Sequence, residues 1–231
     1  MQNILVLGDY SYSSWSLRGW LLFDRWGIDV STRMIDFFED ASVGARLADL
    51  PPARTVPTWV TPEGTVIWDS LAIAEELASR FPDRGYWPAD PAARAVARSL
   101  SAEMHSGFTT LRSDCPMNLR VAYRDVPVSD ALAADLARLE TIWSFARGRF
   151  GVDGPWLCGD YSIADAFYAP VAARTAGYGL PVSETAQAYV DAHLSDPSFV
   201  KWRAMGLAEG ADLPWYAKDF PQVAWPGPSG D

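Results

Sequence analysis

Four short segments of the chain carry residue types at spacings that chemistry can use. The first is Tyr12-Ser13-Ser14-Trp15-Ser16-Leu17-Arg18, which follows an apolar run and opens a helix-like segment. A hydroxyl there stands beside unpaired backbone N–H groups and the positive end of a helix dipole, a setting that favours an anion such as a thiolate. A free thiol with a pKa near 8.5 is only slightly ionised at neutral pH, and lowering that pKa by two units takes about 2.7 kcal/mol. One hydrogen bond to a charged group, roughly 1.5–3 kcal/mol, plus a helix terminus, about 0.3–1 kcal/mol, supplies that much. The plainer role for Ser13 or Ser14 is to cap the helix.

The second segment is Thr55-Val56-Pro57-Thr58, a proline just before a predicted strand. A cis bond there would turn the Val56 backbone outward to pair with an extended peptide, whereas a trans bond makes an ordinary turn. The third is Asp69-Ser70-Leu71-Ala72-Ile73, opening another helix-like stretch. Ser70 is the expected N-cap, the helix N-terminus suits a carboxylate, and Asp69 suits an ammonium. Together they fit an amino-acid head group, or are plain capping. The fourth, Gly159-Asp160-Tyr161-Ser162-Ile163-Ala164-Asp165, contains Ser162-x-x-Asp165, a capping-box variant that serves folding.

These segments need elements to hold them. Ile4–Leu7 reads as a buried strand, 14–26 as a helix ending at Gly27, and 29–35 as a second strand. A helix over 39–50 stops at Pro51-Pro52. Thr58-Trp59-Val60 and Val66-Ile67-Trp68 flank Pro62-Glu63-Gly64-Thr65 as a hairpin, and 70–81 is a helix. The order βαβαββα is that of a thioredoxin-like α/β domain over residues 1–82. A Pro/Gly-rich linker spans 83–90, and residues 91–231 form an all-helical domain. Within that domain 94–115 reads as one helix. Residues 130–150 read as another, with Leu132, Leu136, Leu139, Trp143, Ala146 and Phe150 on one face. Residues 213–231 read as an irregular tail on the surface, with Trp215, Tyr216 and Trp225 packing it or stacking on a ligand. His105 and Arg112, seven apart on the predicted 94–115 helix, share a face and suit an acidic or carbonyl-bearing substrate, or form a polar surface stripe. His193 is expected to be a solvated helix residue.

Taken in order, the segments resemble the glutathione transferase family over essentially the whole chain. Ser13-Ser14-Trp15-Ser16-Leu17-Arg18 is similar to the serine motif of the zeta class, and Asp69-Ser70-Leu71-Ala72-Ile73 to its glutathione-holding motif. Val56-Pro57 resembles the family's cis-proline element. The resemblance implies that Ser14 or Ser13 activates the thiol of glutathione, a co-substrate. It implies that Val56 pairs with the cysteinyl part, and that Asp69 and Ser70 hold the γ-glutamyl end. Trp15, His105 and Arg112 would border the second-substrate pocket for a small electrophile, and a homodimer comes with the family. The chain has Trp15 where the zeta motif has cysteine, and Asp69 where it has glutamine, so the zeta isomerisation itself is not carried over. Tyr10 and Tyr12 are alternative hydroxyls. A non-catalytic glutathione-binding or dimerisation module is the rival reading.

Composition narrows the field. The chain of 231 residues is 49% hydrophobic and 21% charged, with net charge −10. Residues 1–82 hold 6 basic and 11 acidic side chains and residues 83–231 hold 13 and 18, so each part carries −5. With no basic face, neither nucleic acid nor an anionic membrane surface is an expected partner. Cys115 and Cys158 lack metal or CxxC spacing and read as reduced buried thiols, and two histidines make no metal site. No apolar run approaches a bilayer span and the N-terminus lacks a basic leader, so the expected location is cytoplasmic.

Overall fold

In the computed structural model, residues 2–35, 37, 42–151 and 154–228 are described. Strand β1 (Ile4–Leu7) lies at the centre of a four-stranded sheet with β2 (Ser31–Met34), β3 (Thr58–Val60) and β4 (Val66–Ile67), in the order β2-β1-β3-β4. The β1–β2 pair is parallel, with Leu5 opposite Thr32; β1–β3 and β3–β4 are antiparallel, with Leu5 opposite Trp59. Leu5, Val6 and Leu7 are fully buried, which is why this strand reads as an unbroken aliphatic run rather than an alternation. Helix α1 (Ser14–Asp24) follows β1, α2 (Val43–Arg46) follows β2, and α3 (Ser70–Arg80) closes the unit.

The second part is helical: α4 (Pro91–Ser106), α5 (Thr109–Asp114), α6 (Asp130–Phe150), α7 (Ile163–Gly177), α8 (Glu184–Leu194) and α9 (Pro197–Ala208). Helix α7 is buried along nearly its whole length and packs on α1, α4 and α8. Its start is fixed by the expected capping box. Asp165 accepts from Ser162 N (2.9 Å) and Ser162 Oγ (3.1 Å), and its other oxygen takes Leu157 N (3.1 Å) and Tyr189 OH (3.0 Å). The joint between the two parts is tight. Tyr86, just after the short 3-10 turn Pro82–Arg84, donates its hydroxyl to Leu22 O, and its own carbonyl takes Ile163 N.

Several expectations need correction. The helix expected over 39–50 is confined to Val43–Arg46 among the described residues, and its first residues, 39–41, lie outside them. The predicted helix 94–115 is two helices. The chain breaks at Gly107 and Phe108, where Phe108 takes a left-handed conformation (φ 55°), so His105 and Arg112 stand on different helices instead of one face. His193 is not solvated. It is 1% exposed, caged by the rings of Trp156, Tyr161 and Tyr189. Both cysteines are buried as expected, and burial pushes their thiols up, to about 11 for Cys115 and about 12 for Cys158.

The tail is more than surface packing. Strand β6 (Gln222–Val223) pairs antiparallel with β5 (Ala122–Tyr123), and Trp225 sits under the Arg203 guanidinium at 4.6 Å and against Gly177. Between these anchors and α9, the 3-10 turn Pro214–Tyr216 is held by Leu213 N donating to Tyr12 OH (3.3 Å) and by the buried Leu213 side chain.

Candidate active site

A cavity of about 840 Å³ opens between the sheet domain and the helices. Its first wall is the N-terminus of α1. Ser13 is the N-cap: its hydroxyl accepts from Ser16 N (3.3 Å) and donates to Ser16 Oγ (2.8 Å), which in turn accepts from Gly8 N (2.8 Å). That hydroxyl is committed to the fold. Ser14 is the first helical residue, faces the cavity, and is free of cap duty; its Oγ accepts from Arg174 Nη2 on α7 at 3.3 Å. The cap that the sequence left open between two serines thus falls to Ser13, and Ser14 is left facing the cavity.

The neighbouring tyrosines are placed differently. Tyr10 lies edge-on against Trp202 and borders a separate cavity with Met34 and Glu209. Tyr12 reaches the main cavity, but its oxygen takes the Leu213 N–H, and burial raises its pKa.

The second wall is the N-terminus of α3. Here Asp69, not Ser70 as expected, is the N-cap. Its Oδ1 accepts from Leu71 N (2.8 Å) and Ala72 N (3.1 Å), and its Oδ2 lies 3.3 Å from His105 Nε2 on α4. The carboxylate is the shorter reach to N2 and N3, so Ser70 becomes the first helical residue. Ser70 is 2% exposed, and its Oγ has no hydrogen-bond partner among the described residues. A buried hydroxyl without a partner is costly, about 1–3 kcal/mol, unless a ligand satisfies it. Val56 and Pro57, joined by a cis bond, form the floor between the two helix ends.

The third wall is cationic. Two guanidiniums lie over the Trp15 ring, Arg18 Cζ at 4.5 Å and Arg112 Cζ at 4.7 Å, and His105 meets it edge-on at 5.2 Å. Burial, then the neighbouring Arg112 charge, lowers the Arg174 pKa to about 10. Burial also lowers Arg112, and burial followed by the Arg174 and Arg112 charges lowers Arg18. All three remain cations at neutral pH. Among the described residues no carboxylate pairs with any of them.

Residues 12–80 match the family model described as "Glutathione S-transferase, N-terminal domain". The chain is 29% identical over 168 residues to a probable maleylacetoacetate isomerase of Caenorhabditis elegans, covering 71% of this chain and 78% of that protein. The likeness to glutathione S-transferases therefore rests on the N-terminal-domain match over residues 12–80 and on this relative. It is 27% identical over 181 residues to the maleylacetoacetate isomerase of Rattus norvegicus, covering 77% of this chain and 81% of that one. In fold it is like a glutathione transferase homolog from Burkholderia solved with bound glutathione, with TM-score 0.67 and 23% identity over 90% of this chain and all of that one.

The structure gathers Ser13, Ser14, Trp15, Val56, Pro57, Asp69, Ser70, His105 and Arg112 on one cavity. Lining residues that the sequence reading did not single out include Arg54, Trp68, Met117 and Arg174. Arg174 left a signal, a lone arginine in an alanine-rich apolar run, a position where an arginine is rarely buried. Tyr216 lies in the tail run that reads as packing or ligand stacking, and the path of the tail brings it to the cavity.

Proposed function

We propose that the chain is a glutathione-dependent transferase or isomerase that activates the glutathione thiol at Ser14 and directs it at a small electrophile carrying an anionic group. The observation that carries this reading is Ser14 itself, a hydroxyl at a helix N-terminus, spared capping and facing a cavity whose other helix end offers the unpartnered Ser70. Glutathione would lie between them, with its γ-glutamyl carboxylate at Ser70 and the α3 N-terminus, its ammonium at Asp69, and its cysteinyl backbone along Val56. In this reading residues 1–82 hold glutathione and residues 91–231 supply the wall for the second substrate.

On ionisation the S–H bond breaks, the electron pair stays on sulfur and the proton passes to solvent. The thiolate then accepts a hydrogen bond from Ser14 O–H. Attack on the electrophile forms an S–C bond, with loss of a leaving group or addition across a conjugated double bond. Where the adduct rotates and expels the thiolate again, the outcome is isomerisation. Arg112 and Arg174, which no carboxylate pairs with among the described residues, favour an electrophile that is a carboxylate, such as an α,β-unsaturated keto acid. The isomerase names of the worm and rat relatives support that class. We further propose a homodimer in the cytoplasm, as the family implies.

The test is a thiol-ionisation titration: thiolate absorbance of glutathione against pH in the presence of the protein and of its Ser14→Ala and Ser13→Ala variants. The expected outcome is a bound thiol pKa at least about one unit below that of free glutathione, abolished by Ser14→Ala. Binding with an unmoved pKa would make the chain a binding module instead, and no binding would remove the roles given to Asp69 and Ser70.

A further inference from the structure

Arg174 is an unusual group to find where it lies. It sits in the last turn of α7, is 4% exposed, and is surrounded by apolar side chains of a helix that is otherwise nearly all buried. Its guanidinium is fixed at three points. Nε donates to Cys115 O (2.9 Å), Nη1 donates to Pro170 O one turn back (3.1 Å), and Nη2 donates to Ser14 Oγ (3.3 Å). The first two contacts bind the side chain to its own domain and leave the third aimed across the domain boundary at one hydroxyl.

The direction of that third bond is not ambiguous. A guanidinium has only donors, so the oxygen of Ser14 must accept. One lone pair of the hydroxyl is thereby occupied, and its hydrogen must point elsewhere. Among the described residues none accepts from it. What lies before it is the cavity. A positive charge behind the oxygen also makes the hydroxyl a stronger donor, since hydrogen bonds in chains polarise one another. Ser13, one residue earlier, shows the contrast: its hydrogen is given to Ser16 Oγ.

We propose that Arg174 is a positioning residue for thiol activation, donating to Ser14 Oγ so that the serine's own hydrogen is turned toward the sulfur of bound glutathione. This rests on the reading of Ser14 given above. Arg174 exchanges no proton and makes no bond to the sulfur; it acts through the serine. A consequence is that the helical domain, which holds the second substrate, also sets the orientation of the hydroxyl in the first domain.

The experiment is the same thiol titration on Arg174→Gln and Arg174→Lys, each in the wild-type and Ser14→Ala backgrounds. Binding of S-methylglutathione, which has no ionisable thiol, is measured alongside. The expected result is a rise of about one unit in the bound thiol pKa for both variants, with S-methylglutathione affinity changed by no more than about twofold. In the Ser14→Ala background neither substitution should move the pKa further, because the two residues act as one unit. Arg174→Lys keeps the charge and most of the volume, and carries the test if the glutamine variant does not fold. The proposal is overturned if the lysine variant titrates like wild type, because charge alone would then suffice. It is equally overturned if the shift is the same with and without Ser14. A wild-type protein that leaves the glutathione thiol unmoved would sink the earlier reading first, and is told apart by that measurement alone.

Discussion

Gly19 in α1 and Pro57 in the cavity floor touch without any side chain between them: a Cβ built on Gly19 would stand 2.6 Å from Pro57 Cβ and 2.7 Å from its Cγ. Helix α1 therefore lies directly on the loop that carries Val56, and this contact sets the distance from Ser14 to the floor. Gly19→Ala should raise the glutathione KM several-fold. It should also destabilise the protein by about 1–3 kcal/mol through overpacking. Helix propensity alone would give a gain of about 1 kcal/mol for the same change, so urea unfolding reads which effect wins by its sign.

Ser70 and Asp69 can be separated by their second roles. Ser70→Ala removes a buried hydroxyl that has no partner among the described residues, so stability of the free protein should hold or rise slightly, while glutathione affinity falls about tenfold. Asp69→Ala should lower both, since the side chain caps α3 as well, at about 0.5–2 kcal/mol. Asp69→Asn keeps a capping oxygen and removes the charge, so it should recover stability but not affinity. Calorimetric titration with glutathione beside thermal melts distinguishes the three.

Tyr216 reaches the cavity from the tail, its ring 4.8 Å from that of Tyr12. Tyr216→Ala should raise the KM for the electrophile about fivefold, as expected when an aromatic wall worth about 1 kcal/mol is lost, and leave the glutathione KM unchanged. Steady-state kinetics with each substrate varied in turn gives the answer. An effect on glutathione alone would place the tail over the wrong half of the site.

His193 makes the protein sensitive to acid. Burial pushes its imidazole down to about 3, so between that value and the ordinary 6.5 the unfolded chain binds the proton and the folded one does not. Its contribution is therefore whole above pH 6.5 and is lost as pH falls, by about 2 kcal/mol at pH 5. Asp165 works the other way. Burial raises its carboxyl to about 6, so the folded chain gains a proton first and is stabilised as pH falls through that value. The difference between proteins isolates the histidine. His193→Phe, which forfeits no bond at the unpartnered Nε2, should lose about 2 kcal/mol less than wild type between pH 7.5 and 5 in urea unfolding. Equal losses would mean that the imidazole is protonated in the fold.

What the sequence by itself determined is what short-range chemistry controls. The strand Ile4–Leu7, the start of α1 at Ser14, the full span of α6 and the Ser162–Asp165 box all follow from neighbours within a few residues. The same holds for the two helix ends and the proline floor of the candidate site, because caps and helix termini are local objects. Tertiary structure decided the rest. That Ser14's hydroxyl meets a cation depends on Arg174, 160 residues away. The break at Phe108 parts His105 from Arg112, the aromatic cage takes His193 out of water, and the tail's return to β5 puts Tyr216 over the cavity. Each of these is fixed by which distant surfaces pack together, and periodicity records which side of an element is apolar but not what it will meet.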